Sequence, residues 1–481
     1  MNRILFIFSI TFSILGFSQS EQNQKKYNVL FIIADDLTAT AVSAYENTAS
    51  STPNIDLLAN EGTLYTHAYS QYPVCGPSRA SLMFGYYPNA TQTYGYVSGR
   101  KNVGVERKSW PQLFKDNGYY TARVSKIYHM GVPGDIEKGS NGKDDEASWS
   151  ERFNSQGPEW QALGEAELVQ NNPFSDKPRK GGNVMTIVKA TGGDLIHADG
   201  KTAATSIELL KKHKNKPFFL AVGLVRPHVP FVAPKEYFSS YPYQQMMLPP
   251  KVENDWDDIP ERGINYVTSV NAEMSEEQEK KAMAAYYASV AYMDAQVGKI
   301  INTLKEEGLE DNTIVIFTSD HGFHLGEHRF WMKVSLHEES VRVPLIIKMP
   351  GKKAGVCSSF IELLDLYPTV ADMAGLKYSN NIQGKSYLRT LDNPDLQIRD
   401  MAFSVSQGGK SFLVRTKKWA YIQYDEDAGS GMELFDMEYD PKQYNNLAGN
   451  PLYAHILIEM RNALQLKLKE VRTNDLDIDY N

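Results

Sequence analysis

Val29-Leu30-Phe31-Ile32-Ile33 is an unbroken apolar run that leads through Ala34 into the paired carboxylates Asp35-Asp36. It lacks the alternation of a half-exposed strand, so it reads as a strand buried on both faces, the kind found in parallel sheets. Pro217-Phe218-Phe219-Leu220-Ala221-Val222, Ile314-Val315-Ile316-Phe317 and Pro344-Leu345-Ile346-Ile347 share that texture. Helical segments lie between them. Asn54 to Glu61 opens on a capping-type Asn, Trp110 to Asn117 stops at Gly118, and Ser275 to Glu307 stops at Gly308. Strands alternating with helices predict an α/β fold built on a large, mainly parallel sheet flanked by helices.

Polar clusters follow three of these strands directly. They are Asp35-Asp36, Arg226-Pro227-His228 and Asp320-His321-Gly322. In open α/β sheets, ligands bind beyond the carboxyl ends of the strands, so the three clusters are expected to meet at one sheet edge. Residues 134–182 are rich in polar residues, Gly and Pro, and read as long loops with short helices. Beyond Asn393 the texture changes to short strands, Met401–Val405, Ser411–Arg415, Trp419–Ile422 and Glu433–Phe435, followed by an amphipathic helix over Pro451–Glu470. The expected organisation is a catalytic α/β domain over 25–392 and a smaller C-terminal α+β subdomain with a short antiparallel sheet over 393–481.

The 481 residues include 50 basic and 58 acidic side chains, a net charge of −8, and 42% are hydrophobic. That composition excludes a disordered chain, a collagen, a coiled coil and a disulfide-stapled miniprotein. The acidic balance argues against non-specific nucleic-acid binding, which needs a basic face. Residues 1–19 carry Arg3, an apolar stretch from Ile4 to Leu15, then Gly16 and Ser18. This is the pattern of a secretory signal peptide, and the apolar stretch is short for roughly 30 Å of hydrocarbon. The mature chain is expected to be exported with no membrane span, to the periplasm, with release or surface attachment as alternatives.

Asp35, Asp36, Asp320 and His321 supply three carboxylates and an imidazole to the expected sheet edge. Such anions repel unless a cation neutralises them. Oxygen-rich ligation suits Ca²⁺ or Mg²⁺, and the imidazole admits Zn²⁺ or Mn²⁺. The plainer reading makes each pair a loop or helix-cap residue. Cys75-Gly76-Pro77-Ser78-Arg79 reads as a loop turning into a helix, where free N–H groups favour an anion and Arg79 can grip an oxyanion. Read alone, Cys75 is a thiolate nucleophile or, with Cys357, half of a structural disulfide. His228, stiffened by Pro227 and Pro230, is a general acid or a packed core histidine.

The C-x-P-S-R arrangement resembles the signature of the type I sulfatases, whose motif cysteine is oxidised to formylglycine, an aldehyde with a nucleophilic hydrate. The other signatures stand in order: Asp35-Asp36, then Lys126-Ile127-Tyr128-His129, then Arg226-Pro227-His228-Val229-Pro230-Phe231, then Asp320-His321-Gly322 with Gly326-Glu327-His328 and Lys333. Glu433-Leu434-Phe435-Asp436 looks like the family's closing segment, and the whole is most similar to the iduronate-2-sulfatase-like branch, which often has Ala where Gly76 stands.

The resemblance implies the alkaline-phosphatase-like sulfatase fold and an exported carbohydrate sulfatase. Glycosaminoglycans or algal polysaccharides such as ulvan are its implied substrates. It places Asp35, Asp36, Asp320 and His321 around Ca²⁺, with the formylglycine from Cys75 completing the shell. It gives Arg79, Lys126, His228 and Lys333 contacts to sulfate. His129 becomes the general base, and His228, with Lys333, the proton donor to the leaving alcohol. A formylglycine-generating enzyme is the implied maturation partner. A converted Cys75 has no sulfur to pair, so Cys357 becomes a free thiol. Trp331 is left as a sugar-stacking or core residue, and His324, His328 and His337 as structural or rim residues. Two alternatives stand beside this: a phosphomonoester or phosphonate hydrolase on the same scaffold, and a non-catalytic sulfoglycan-binding protein if Cys75 stays a thiol.

Overall fold

A computed structural model describes residues 26–169 and 185–476, together with Ile478. The expected signal peptide therefore lies outside the described residues. No helix among the described residues is long and apolar enough to cross a membrane.

Eight strands form the main sheet in the order Gly355–Glu362, Thr63–Tyr69, Arg342–Lys348, Thr313–Ser319, Asn28–Asp35, Phe218–Pro227, Tyr120–Ser125, Glu151–Phe153. The Asn28–Asp35 strand lies at the centre, parallel to both neighbours, with Val29 level with Ile314 on one side and Phe219 on the other. The apolar runs on these strands are buried throughout, as their lack of alternation predicted. Arg342–Lys348, read from the same texture, runs antiparallel to both of its neighbours. An unbroken apolar run reports burial on two faces and carries no information about direction.

Alternate residues of the central strand feed two cores, as a period of two requires. Val29, Phe31 and Ile33 pack with Phe84, Trp110 and Phe219 on one face. Leu30, Ile32 and Ala34 pack on the other with Tyr286, Val290, Met293 and Val297 of the 31-residue helix Glu276–Glu306. Ser275 caps that helix, its hydroxyl accepting from Gln278 N while the Gln278 side chain accepts from Ser275 N.

Of the segment 134–182, residues 134–169 are described, and they are more ordered than their composition implied. It contains the short helix Gly134–Lys138, and Glu151–Phe153 extends the main sheet in parallel. Gly164–Leu168 pairs antiparallel with Thr186–Ala190, which pairs parallel with Phe231–Pro234. Gly164–Leu168 is largely exposed and carries two glutamates, so it offers no apolar pattern to read.

Met401–Ser406, Ser411–Thr416, Trp419–Tyr424 and Met432–Asp436 form a four-stranded antiparallel meander, and the helix Ala454–Arg472 follows. Phe403, Val414, Tyr421, Leu434, Leu464 and Leu468 from this region join the same apolar cluster as Phe31 and Trp110.

Candidate active site

Four adjacent parallel strands deliver side chains from their carboxyl ends to one place. Asn28–Asp35 brings Asp35 and Asp36, Thr313–Ser319 brings Asp320 and His321, Phe218–Pro227 brings His228, and Tyr120–Ser125 brings Lys126. Cys75 opens the helix Cys75–Phe84 that faces them. The backbone turns into the left-handed region at Asp36 (φ 66°), Ser125 (φ 62°), Met332 (φ 73°) and Val334 (φ 85°), beside the loops that carry Asp35, Lys126 and Lys333. For residues with a Cβ, and above all for the β-branched Val334, such conformations cost about 1–3 kcal/mol each and cluster where geometry is imposed by function.

Cys75 Sγ is the hub. It lies 3.3 Å from His321 Nε2, 3.3 Å from Lys333 Nζ, 3.8 Å from Asp36 Oδ1 and 4.0 Å from Lys126 Nζ. Burial raises its thiol pKa, but Lys126 and Lys333 outweigh that and hold it below the ordinary value. Cys357 is buried too, and both cysteines are free.

Around the hub, three carboxylates face three cations. Lys126 Nζ donates to Asp35, Arg79 Nη2 to Asp35 Oδ1 at 3.0 Å, Arg79 Nε to Asp320 Oδ2 at 2.8 Å, and Lys333 Nζ to both Asp36 oxygens at 2.7 and 2.9 Å. The mutual repulsion anticipated from the sequence is thus already offset by the protein's own cations. Burial presses Asp35 upward, yet Lys126 and Arg79 keep its pKa well below the usual carboxylate range. Asp36 is less compensated, and burial pushes it to about 7 against the pull of Lys333 and His321.

Arg79 is committed to this framework. Besides the two carboxylates it donates from Nη1 to the Lys126 and Ile127 carbonyls at 2.6 and 3.0 Å. Four of its N–H groups are thereby used, leaving one, and not a two-pronged fork, for an incoming anion.

Two overlapping groups of donors could hold a metal ion, and the three carboxylates among them suit a hard cation. Ligand atoms of Asp35, Asp36, Cys75 and His228 lie within 4.8 Å of one another, as do those of Cys75, Asp320 and His321. His321 Nδ1 lies 3.0 Å from the Gly322 carbonyl oxygen and so carries a hydrogen, which fixes the ring with Nε2 toward Asp36 Oδ1 at 3.3 Å and Cys75. Burial lowers the His321 pKa, and Asp320, Cys75 and Asp36 more than reverse this, to about 9.

The two other histidines of the site, His228 and His129, are held neutral by burial. His228 Nδ1 faces the Val229 carbonyl oxygen and carries the hydrogen, so Nε2, 3.8 Å from Asp36 Oδ2, is bare. Burial, then Lys333, lowers its pKa well below the ordinary value. His129 lies in a loop, not a helix, bridged to Lys143, and its Nδ1 is buried with no partner. Burial and then Lys126 lower its pKa to about 3. Its ring stacks on Tyr96 with centroids 4.2 Å apart.

Two residues of the site's support escaped the sequence. Asp199, on the helix Ala198–His213, accepts from Val225 N and Arg226 N at 2.8 and 2.9 Å, and Glu159 pairs with the Arg226 guanidinium. Arg226 Nη1 in turn holds the His228 carbonyl at 2.7 Å. No local motif marks either acid; only a buried arginine in need of partners could have pointed to them. Trp331 is fully buried and belongs to the core, not to a sugar-facing surface. His324, His328 and His337 are likewise buried, with His328 on Asp255 and His337 on Glu433 at 3.0 Å each.

Comparison with known proteins identifies the family. The sulfatase family model matches residues 27–376, and the model for the C-terminal region of N-sulphoglucosamine sulphohydrolase matches 326–470. A sulfatase of Formosa agariphila is 30% identical over 448 residues, covering 90% of this chain and 85% of that protein. Mouse iduronate 2-sulfatase is 33% identical over 391 residues, covering 73% and 69%. The fold is that of the phosphonate monoester hydrolase of Agrobacterium radiobacter, with a TM-score of 0.74 at 22% identity over 92% of this chain and 96% of that one. The chain, with its buried cysteine set among three carboxylates at the sheet's carboxyl edge, belongs to the sulfatase family of sulfuric ester hydrolases.

Proposed function

We propose that the protein is an exported carbohydrate sulfatase that uses Cys75, converted to formylglycine, together with Ca²⁺. The observation that carries this reading is the convergence on Cys75 Sγ of His321, Lys333, Lys126 and Asp36, all within 4.0 Å. A carbohydrate substrate is supported by the similarity to iduronate 2-sulfatase. Residues 25–392 then form the catalytic unit and 393–481 the subdomain that closes it.

Asp35, Asp36, Asp320 and His321 would hold the calcium ion, which supplies positive charge for the sulfate oxygens. Three carboxylates against Arg79, Lys126 and Lys333 sum to zero, and with His321 neutral as a ligand a divalent ion would leave the pocket positive and ready for an anionic ester. Converted Cys75 supplies the hydrate nucleophile, in keeping with its place at a helix N-terminus, where a developing negative charge is favoured.

The chain's own residues divide the remaining work. Lys126 and Lys333 hold the sulfate from two sides of position 75. Lys333 is the proton-bearing group beside it, since Asp36 keeps its pKa well above the ordinary lysine value despite burial. His228 is neutral with Nε2 bare, so it gains a proton only with the ester's negative charge beside it. His129 is uncharged and its Nδ1 has no partner, so it can accept a proton once the bound anion offsets the burial that lowers its pKa.

The test is a panel of defined sulfated oligosaccharides, read by released sulfate, with an aryl sulfate and an aryl phosphate in parallel. Sulfate release from one class of saccharide, and faster turnover of aryl sulfate than aryl phosphate, is expected. A preference for the phosphate would overturn the reading.

A further inference from the structure

The way out from Cys75 is a gradient of exposure. Cys75 is 1% exposed, Lys333 3% and His228 5%; His129 is half-buried, and Tyr96 is 49% exposed. Tyr96 is thus where the sulfate pocket meets solvent. Burial raises the pKa of its hydroxyl, and the charge of Lys333 pulls it the other way. One face of its ring lies on His129, tilted by 22°, so its exposed surface is the opposite face and the edge.

The backbone fixes this position. A Cβ on Gly76 would stand 2.6 Å from the Gly95 carbonyl oxygen and 2.9 Å from Tyr96 Cα. Glycine beside Cys75 therefore lets the Tyr96 segment lie directly on the first turn of the helix that presents position 75. Solvated loop tips do not usually hold a tyrosine stacked and half open; a large aromatic face at a pocket mouth is a binding surface.

We propose that Tyr96 determines specificity for the leaving group: its open face is the wall against which the sugar ring of the alcohol is held while the sulfate enters toward position 75. The inference rests on the carbohydrate-sulfatase reading above. Tyr96 touches the sugar and not the sulfate, so its loss is felt in saccharide binding and not in anion binding.

Tyr96→Ala and Tyr96→Phe are compared with the unaltered enzyme on a sulfated disaccharide that it cleaves, with inorganic sulfate as competitive inhibitor. Tyr96→Ala is expected to raise KM for the disaccharide about tenfold, with kcat changed by less than about threefold. The inhibition constant of inorganic sulfate is expected to stay within about twofold, and Tyr96→Phe to restore KM, since the ring and not the hydroxyl acts. Unchanged KM in Tyr96→Ala overturns the inference alone. So does a fall in kcat larger than the rise in KM, because Tyr96 would then act only by packing the base His129. If the unaltered enzyme cleaves aryl sulfate but no sulfated saccharide, the carbohydrate reading fails and this inference fails with it.

Discussion

Lys333 Nζ sits 2.7 Å from Asp36 Oδ1 and 2.9 Å from Asp36 Oδ2, bracketing the carboxylate that a calcium ion would also need. Lysine and metal therefore draw on the same oxygens, and occupation by one loosens the hold of the other. Lys333→Met is expected to lower turnover by about a hundredfold or more, as loss of a charged group at the reacting centre does. Its affinity for calcium, titrated by activity and by thermal midpoint after chelation, should hold steady or rise. A fall in calcium affinity parallel to the fall in turnover would show that Lys333 supports the metal and does not compete with it.

The two cysteines are predicted to differ completely. Made beside a formylglycine-generating enzyme, the Cys75 peptide should carry the mass of an aldehyde in place of a thiol, and Cys75→Ser should release no sulfate. Cys357 lies in the strand Gly355–Glu362, fully buried and level with Tyr65 on the neighbouring strand. Cys357→Ser should leave turnover intact and cost about 1–3 kcal/mol, the burden of a hydroxyl in an apolar setting. Peptide mass spectrometry and urea unfolding check the two halves. An unconverted Cys75 in an active preparation would remove the formylglycine mechanism.

What could be read from the chain follows from where the physics is local. A buried strand announces itself in its own residues, and a strand's carboxyl end fixes what comes next along the chain. The convergence of Asp35-Asp36, Asp320-His321 and His228 is therefore legible from their positions after apolar runs. Lys126 is placed by the end of Tyr120–Ser125, a strand whose Arg123 and Thr121 mask its burial, so only the family resemblance marked it. The direction of Arg342–Lys348 and the support from Glu159 and Asp199 depend on partners far away in sequence. The three cations set against three carboxylates were visible one by one, but their pairing is a property of the folded site alone.

Arg226 is predicted to act on His228 from a distance. Arg226→Met leaves Glu159 and Asp199 buried without their cation, and breaking a buried pair in this way costs about 3–5 kcal/mol. It also frees the His228 carbonyl that Arg226 holds at 2.7 Å. The variant should unfold at lower urea and show kcat reduced by about tenfold or more, while inorganic sulfate binds nearly as before. Equal losses in kcat and in sulfate binding would place Arg226 in the anion site itself.

His67 gives a pH effect separable from catalysis. It lies on the strand Thr63–Tyr69 against the Phe360 ring, centroids 5.2 Å apart, and its Nδ1 is 2.8 Å from Thr66 Oγ1. Burial lowers its pKa to about 4, with Glu338 pulling the other way. Unfolded, the same imidazole titrates near 6.5, so below that pH the unfolded chain binds a proton that the folded chain refuses. The contribution to stability is therefore complete above about pH 6.5, declines as the pH falls, and is exhausted near pH 4, for a total of up to about 3 kcal/mol. His67→Gln should flatten that stretch of the stability profile by about one proton's worth of slope and leave turnover at neutral pH unchanged. Urea midpoints at pH 4.5 and pH 7 measure it, and an equal drop in the variant and the parent would assign the acid sensitivity to other histidines, of which His129, also held neutral by burial, is the nearest in character.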